Sequence, residues 1–529
     1  MPLLGAGAMI GAAVETGRLV SPLALVVPPA ILLLGAVLLN FLPRLFRYPS
    51  WALRTVAASM VLLALLRFGV VGEAYASLAR VPVGNVSLPA IDLMLEPAAL
   101  AWLRLLLLGA LAATLAIPVG ALSGVLAMLG LASITFLASS FGTLVLAWPL
   151  AEVALLLPPD HEARHGHRYL PLATGGAAAL FALYASASSQ ALVLAGRSLT
   201  PLSWALVVAA LALRLRLWPL RWPRAGSPLT SLKLLVALLT GFFALSRVAA
   251  AAQWERLPEW VAAAFVVCAA AAAGEAWLHR QEDEAVLAGV AGALSSLLVA
   301  GAALAPETSP WRAVPAAGAA LLLFALSPSL PLPRGAPRWL AGLPALLAGL
   351  LLLPLPTLPV GSVLVGVLGL LAATRVLASI AATAALVLGL GALLAAASRR
   401  TEQRPTLGVE DGAEALRLAL LLAVLLLGLR LGVGAGAREA QRGAALAFSL
   451  VASLGAAALA LASARRLFPD ARTPLPVPTD GRSSGGKVGA AVSATLVTVE
   501  AVFRLLEGET SLPWASLIGF AVLIIAAGP

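Results

Sequence analysis

Apolar residues run along the chain in repeated stretches of about 20, the length that crosses a bilayer core of about 30 Å as an α-helix. Arginines, Pro/Gly clusters or both bound these stretches. Predicted spans begin near Leu19, Trp51, Pro97, Ala121, Phe141, Tyr169, Pro201, Pro228 and Glu259. They continue near Ala285, Ala313, Arg338, Pro359, Val376, Ala413, Gly443, Val488 and Ser511. The pattern predicts an all-α polytopic membrane bundle of about 18 transmembrane helices. The stretches lack period-2 alternation, which excludes a membrane β-barrel. The longest polar connections cover residues 73–91, 158–168, 399–412 and 468–486, and none is large enough to fold as a soluble domain.

Composition excludes one large soluble domain. Of 529 residues, 61% are hydrophobic and 11% charged, against about 25% charged in soluble proteins. The net charge of +11 comes almost wholly from arginine; the only lysines are Lys233 and Lys487. These cations sit mainly in short loops, a pattern that sets membrane topology. The bilayer is therefore the expected partner and nucleic acid is not. One set of alternate connections carries Arg44, Arg47 and Arg54, then Arg164 and Arg168, Arg221 and Arg224, Arg280, and finally Arg334 and Arg338. Positive-inside bias then places the N-terminus outside, in what reads as a prokaryotic cytoplasmic membrane. The first residues lack a basic segment ahead of their apolar ones, so no cleaved signal peptide is expected. Cys268 is the one cysteine, which excludes an internal disulfide and a Cys-ligated iron–sulfur cluster. No cofactor is expected.

Ionisable groups at membrane depth carry the functional signal, because each is costly unless paired or facing water. In the first 14 predicted spans they are Arg67, Arg104, Glu152, Arg214, Arg216, Lys233, Glu275 and Arg375. Glu152, Arg214 and Lys233 fall in the fifth, seventh and eighth spans. A carboxylate and two cations on neighbouring helices can shift one another's proton affinity, the minimum physics of a proton relay. A static ion pair or a snorkelling arginine is the bland alternative. Two spans also contain breaks. Pro219 and Pro223 interrupt the end of the seventh, and Pro354, Pro356 and Pro359 interrupt the twelfth. Broken helices at depth are tolerated where they are buried in protein or line a hydrated cavity.

Four stretches resemble the antiporter-like membrane subunits of respiratory complex I (its L, M and N subunits) and the related Mrp-type antiporter subunits. Leu93-Met94-Leu95-Glu96-Pro97 is similar to the acidic residue that precedes the family's third helix. Leu144-Val145-Leu146-Ala147-Trp148 resembles the start of its fifth, with the carboxylate displaced to Glu152. Leu213-Arg214-Leu215-Arg216-Leu217-Trp218-Pro219-Leu220-Arg221-Trp222 resembles its seventh, with Arg214 at the place of the pumping lysine. Gly241 through Arg247 fits the end of its eighth helix, which contains Lys233 here. Arg280-Gln281-Glu282-Asp283-Glu284 resembles a loop that in the family carries a lysine where Glu284 stands. The stretch from Leu346 to Gly361 is similar to the broken twelfth helix, but the lysine expected after Gly361 is absent.

The resemblance implies a 14-helix antiporter-like core over residues 1–400, with broken seventh and twelfth helices. Residues 401–529 would form a C-terminal extension of about four helices. It also implies a membrane-arm subunit of a complex-I-like (NADH-quinone oxidoreductase-type) redox pump. Partners would be other membrane and redox subunits, which would hold the redox centres. Glu152 is the expected switchable carboxylate, Arg214 its pairing cation and Lys233 the central proton carrier; Arg216 and Glu275 are secondary candidates. Arg247 is a candidate partner for Glu275. A proton-inactive structural subunit and a free-standing cation/proton antiporter are the alternatives from the same scaffold, and a membrane transferase is a competitor from another class. Asp160, His161, Glu162, His165 and His167 share one short loop that reads as solvated near headgroups, and no metal is expected there.

Overall fold

The computed structural model describes residues 18–19, 22–45, 49–71, 74–78, 82–83, 86–87, 91–138, 143–144, 147–148, 150, 155, 212, 215, 217, 228–251, 259–305, 309–329, 342–400, 411–432 and 442–467. The first helices are α1 (Pro22–Leu45), α2 (Ser50–Val71), α3 (Pro97–Thr114), α4 (Leu122–Leu137) and α5 (Pro228–Ala251). Then come α6 (Glu259–Leu278), α7 (Asp283–Leu304), α8 (Val314–Leu326), α9 (Leu343–Leu351) and α10 (Pro359–Thr374). The last three are α11 (Val376–Arg400), α12 (Asp411–Gly432) and α13 (Arg442–Leu467). Among the described residues nine helices are long and apolar enough to cross a membrane. The chain is an integral membrane protein. The starts of α3, α5, α6, α10 and α11 coincide with predicted ones, because proline or a charge marks each. The predicted spans beginning at Tyr169, Val488 and Ser511 lie outside the described residues, and of the one beginning at Pro201 only Ala212, Leu215 and Leu217 are described.

The segment expected to be a polar loop between α2 and α3 contains strands. Strand β1 (Arg18–Leu19) pairs in parallel with β2 (Ala74–Leu78), and β2 pairs antiparallel with β5 (Ile91–Leu95). Between them, β3 (Pro82–Val83) and β4 (Val86–Ser87) form a small hairpin. Chain segments outside the bilayer can pair this way, and the alternation in Ile91-Asp92-Leu93-Met94-Leu95 suits a half-buried strand. Leu93 also bridges to Ala138, just past the end of α4.

This sheet fixes one end of the bundle. The ends of α2 and α4 and the start of α3 lie at the sheet end. Glu96 bonds Arg247, so the last turns of α5 lie there too. Glu259 bonds Arg375, which adds the start of α6 and the joint between α10 and α11. Asp283 bonds Arg399 and Arg400, so the start of α7 and the end of α11 meet at the far end. Phe68, Phe136, Phe242 and Phe324 are among the largest fully buried side chains. Leu23, Leu34, Phe41, Trp51, Val267, Leu377 and Leu454 point outward, which costs nothing against lipid tails as apolar as leucine.

The predicted break in the twelfth span is present. Helix α9 ends at Leu351, residues 352–358 leave the helix, and α10 starts at Pro359. Leu355 N–H donates to Leu353 O at 2.7 Å and Leu358 N–H to Leu355 O at 3.0 Å, closing two tight turns. The turn folds over the first turn of α10. A Cβ on Gly361 would collide with the backbone of Leu355 and stand 2.7 Å from Leu353 O. Glycine is required there because the backbone itself occupies the space. The break in the seventh span lies almost wholly outside the described residues; Leu217 N–H donates to Ala212 O at 3.0 Å.

The first two helices of the predicted extension pack on the core. Helix α12 lies against α3 and α8, and α13 against α10 and α11. A Cβ on Gly428 would stand 2.9 Å from Pro315 O, so α12 meets the backbone of α8 directly.

Gly361→Ala is expected to destabilise the protein by about 1–3 kcal/mol through overpacking. Gly274→Ala, where a Cβ would meet nothing within 4 Å, is expected to be neutral or stabilising by up to about 1 kcal/mol. Thermal unfolding of both purified variants in one detergent checks the contrast; equal losses would show that the break is not held by backbone contact.

Candidate functional site

Two of the five sequence-predicted site residues are described. Lys233 lies five residues into α5, about 7.5 Å along the axis from Pro228, and is half-buried. Ser231 beside it is buried, as are Leu232 and Leu234. Glu275 lies three residues before the end of α6 and is also half-buried. Both sit in the far-end half of the membrane, and each takes part in an electrostatic or hydrogen-bond interaction. They are not on packed helices: α5 lies against α8, α3 and α4, whereas α6 lies against α7 and α11. Glu152, Arg214 and Arg216 lie outside the described residues. Arg375, expected at membrane depth, instead occupies the exposed joint between α10 and α11, where Glu259 accepts from its Nε at 3.3 Å.

The sheet end of α3, α4 and α5 is closed by a charged and aromatic cluster. Glu96 is the N-cap residue of α3, but its side chain makes no cap bond. Instead Arg247 Nη1 donates to Glu96 Oε1 at 2.6 Å. The residues are 151 apart in sequence, and Arg247 has Glu96 as its partner rather than the Glu275 considered from sequence. One turn below, the Phe243 ring lies 5.0 Å beneath the guanidinium. Phe243 also meets Trp102 edge-on at 5.8 Å and Phe136 at 5.0 Å. Arg247 Nε and Nη2 are buried without a hydrogen-bond partner. Below the cluster, the hydroxyl of buried Thr240 is turned back onto Val236 O at 2.7 Å.

The far end is held by Asp283. Its Oδ2 accepts from Arg400 Nε at 2.8 Å and its Oδ1 from Arg399 Nη2 at 3.2 Å. Arg400 is almost wholly buried; its Nη1 donates to Phe324 O and Ser327 Oγ, and it lies 4.1 Å from the Phe324 ring centroid. Arg399 Nη2 also donates to Arg280 O. One carboxylate thus ties together the ends of α7, α8 and α11. In the sequence Glu96 and Asp283 stand only as landmarks of the resemblance, and Arg247 as one more and as a partner for Glu275. No local periodicity could have paired groups more than 100 residues apart.

No ionisable side chain lies along α8, α9 or α10, or along α7 beyond Glu284. The second broken helix therefore keeps its backbone geometry without a charge. Among the described residues no group of three or more His, Cys, Asp or Glu could hold a metal.

With helix order, break and closed ends in place, the fold can be compared with solved structures. A chain of the Mrp complex from Dietzia sp. DQ12-45-1b superposes with a TM-score of 0.60 at 16% identity, over 95% of this chain and 63% of that one. A chain of respiratory complex I from Thermus thermophilus with bound NADH superposes with a TM-score of 0.59 at 18% identity, over 82% of this chain and 99% of that one. This is the antiporter-like membrane-subunit fold. The chain spans 63% of the length of the Mrp chain it matches. No family model matches the chain, and no curated protein matches it.

Asp283→Asn should leave the buried Arg400 charge without its carboxylate and cost about 3–5 kcal/mol; unfolding in detergent measures it, and a loss no larger than that of an exposed-pair variant such as Glu259→Gln would contradict it. A double-mutant cycle on Glu96→Gln and Arg247→Gln should give a coupling of about 1–2 kcal/mol, with near-zero coupling the outcome that removes the pair's role.

Proposed function

We propose that this chain is a membrane-arm subunit of a complex-I-like or Mrp-like assembly that translocates protons, or exchanges a cation for protons, across the membrane. One observation carries the reading: in a fold shared with chains of those two complexes, α5 keeps a half-buried lysine, Lys233, inside its membrane span. A lysine there can lose its proton when a neighbouring charge changes. Lys233 is the proposed carrier, Glu152 the switchable carboxylate and Arg214 the fixed cation that pairs with it; Arg216 and Glu275 play secondary parts. Protons reach Lys233 from the far end, because the Arg247–Glu96 pair and the Trp102–Phe243–Phe136 cluster close the sheet end of the same helices. Partner subunits supply electron transfer if the assembly is a redox pump.

The far end is proposed to face the cytoplasm. The end of α1 with Arg44, the start of α2 with Arg54, and the loop with Arg280 lie there, and positive-inside bias follows such short basic connections. The N-terminus is then outside.

A second reading has a specific support. The broken pair α9–α10 has no charge in its described length, as a proton-inactive structural subunit would. Lys233→Arg separates the two. Arginine keeps the positive charge but does not release its proton. If Lys233 carries protons, both Lys233→Arg and Lys233→Met in the assembled complex should lower pumping by about ten-fold or more with assembly intact. Pumping is read as dye-reported acidification of membrane vesicles. Full pumping in Lys233→Arg would make the lysine a static charge and favour the structural reading.

A further inference from the structure

We propose that the seam between α6 and α11 binds one phosphatidylethanolamine in the sheet-end leaflet, with its headgroup on the Glu259–Arg375 pair and an acyl chain along the seam. The two helices pack on one another, and a Cβ on Gly389 of α11 would stand 3.5 Å from the Cβ of Ala273 on α6. Glu259 opens α6, and Arg375 directly precedes α11. Helix α6 has 20 residues and so spans about 30 Å, the thickness of a bilayer core. Its first residue therefore lies at headgroup level. Trp260 beside it is 66% exposed, at the depth where membrane proteins place amphipathic rings.

The chemistry of the pair selects the headgroup. Arg375 Nε donates to Glu259 Oε2 at 3.3 Å, and the two side chains remain 57% and 53% exposed. That one bond uses neither Nη group of Arg375 and neither lone pair of Glu259 Oε1. Arginine suits phosphate oxygens. Arg375 also stands at the start of α11, where the helix dipole favours an anion. The carboxylate beside it calls for a cation that can donate N–H bonds close to that phosphate. Phosphoethanolamine carries both groups on one short headgroup. Choline has no N–H, and phosphatidylglycerol has no cation to set against Glu259.

The surface below the pair suits an acyl chain. Trp260, Ala264 and Val267 on α6 and Leu377, Ile380 and Ala384 on α11 form exposed stripes that face lipid. Helical spacing places Ala263, Ala270 and Gly274 between the first stripe and Ala273, and Ala378 and Ala381 between the second and Gly389. These five are half-buried, and a Cβ on Gly274 would meet nothing within 4 Å. Small residues between bulkier ridges leave a shallow channel that starts beneath the headgroup.

The test uses the full chain in nanodiscs of phosphatidylcholine alone or with phosphatidylethanolamine or phosphatidylglycerol added, and native mass spectrometry reads the lipid retained on release. Wild type should retain phosphatidylethanolamine over both other lipids by about five-fold. Glu259→Gln should erase the preference over phosphatidylcholine, and Arg375→Gln should lower retention of phosphatidylethanolamine about five-fold. Ala270→Leu should lower it too, with both charges in place. Arg67→Gln, an exposed arginine on α2 in the same leaflet, should change nothing. Equal retention of the three lipids by wild type would overturn the proposal, as would displacement of the lipid by inorganic phosphate, which would assign the site to the free anion. Hydrogen exchange on wild type needs no variant to fold: phosphatidylethanolamine should slow exchange at the start of α11 relative to phosphatidylcholine alone, and identical exchange would overturn the proposal. A photoreactive amino acid at Leu377 should crosslink to lipid in native membranes, and crosslinking to protein instead would give the seam to a partner subunit and overturn it as well.

Discussion

A charge inside a membrane protein must find an opposite charge, water or the interface, and this chain has few charges to arrange. Asp283 shows how far one carboxylate can reach under that constraint. It accepts from two consecutive arginines, one of them buried, and so holds the ends of three helices at one face of the bundle. Separating those groups would leave the buried Arg400 charge without its carboxylate, which is costly. At the opposite face Glu96 and Arg247 do the same for α3 and α5 above an aromatic cluster. The bundle is pinned at both ends, and hydrophobic packing fills the length between them.

That arrangement bears on function through its asymmetry. Lys233 and Glu275 both lie in the half of the membrane next to the Asp283 junction. Helices α9 and α10 on either side of this break carry no charge along their described length, yet the break is present, with Gly361 fitted beneath the turn. A broken helix exposes backbone groups whether or not a lysine follows it, so shape and charge have separated here. Among the described residues the scaffold keeps the interruption after Leu351 while its charges lie on other helices and at the two ends of the bundle.

Much of the fold was legible in the sequence because the bilayer imposes a length on every span and proline or charge marks many starts. Pro97, Pro228 and Pro359 each open a helix where expected. The strands near α3 were not legible: residues 73–91 read as a polar loop, since short strands at an interface carry too few alternating positions to stand out. Of the candidate residues, Lys233 and Glu275 were placed on the right helices, but nothing in their spacing told that α5 and α6 pack on different neighbours.

The sequence by itself determined that the chain crosses a membrane many times, where many helices begin, and that one helix breaks around Pro354, Pro356 and Pro359. These are local properties, set by side-chain transfer energies and by the missing N–H of proline. Only the tertiary structure decided which charges neutralise one another. Glu96 with Arg247, Glu259 with Arg375 and Asp283 with Arg400 are each joined across more than 100 residues. Coulombic attraction depends on distance in space and not along the chain, so those partnerships existed only once the helices had been laid side by side.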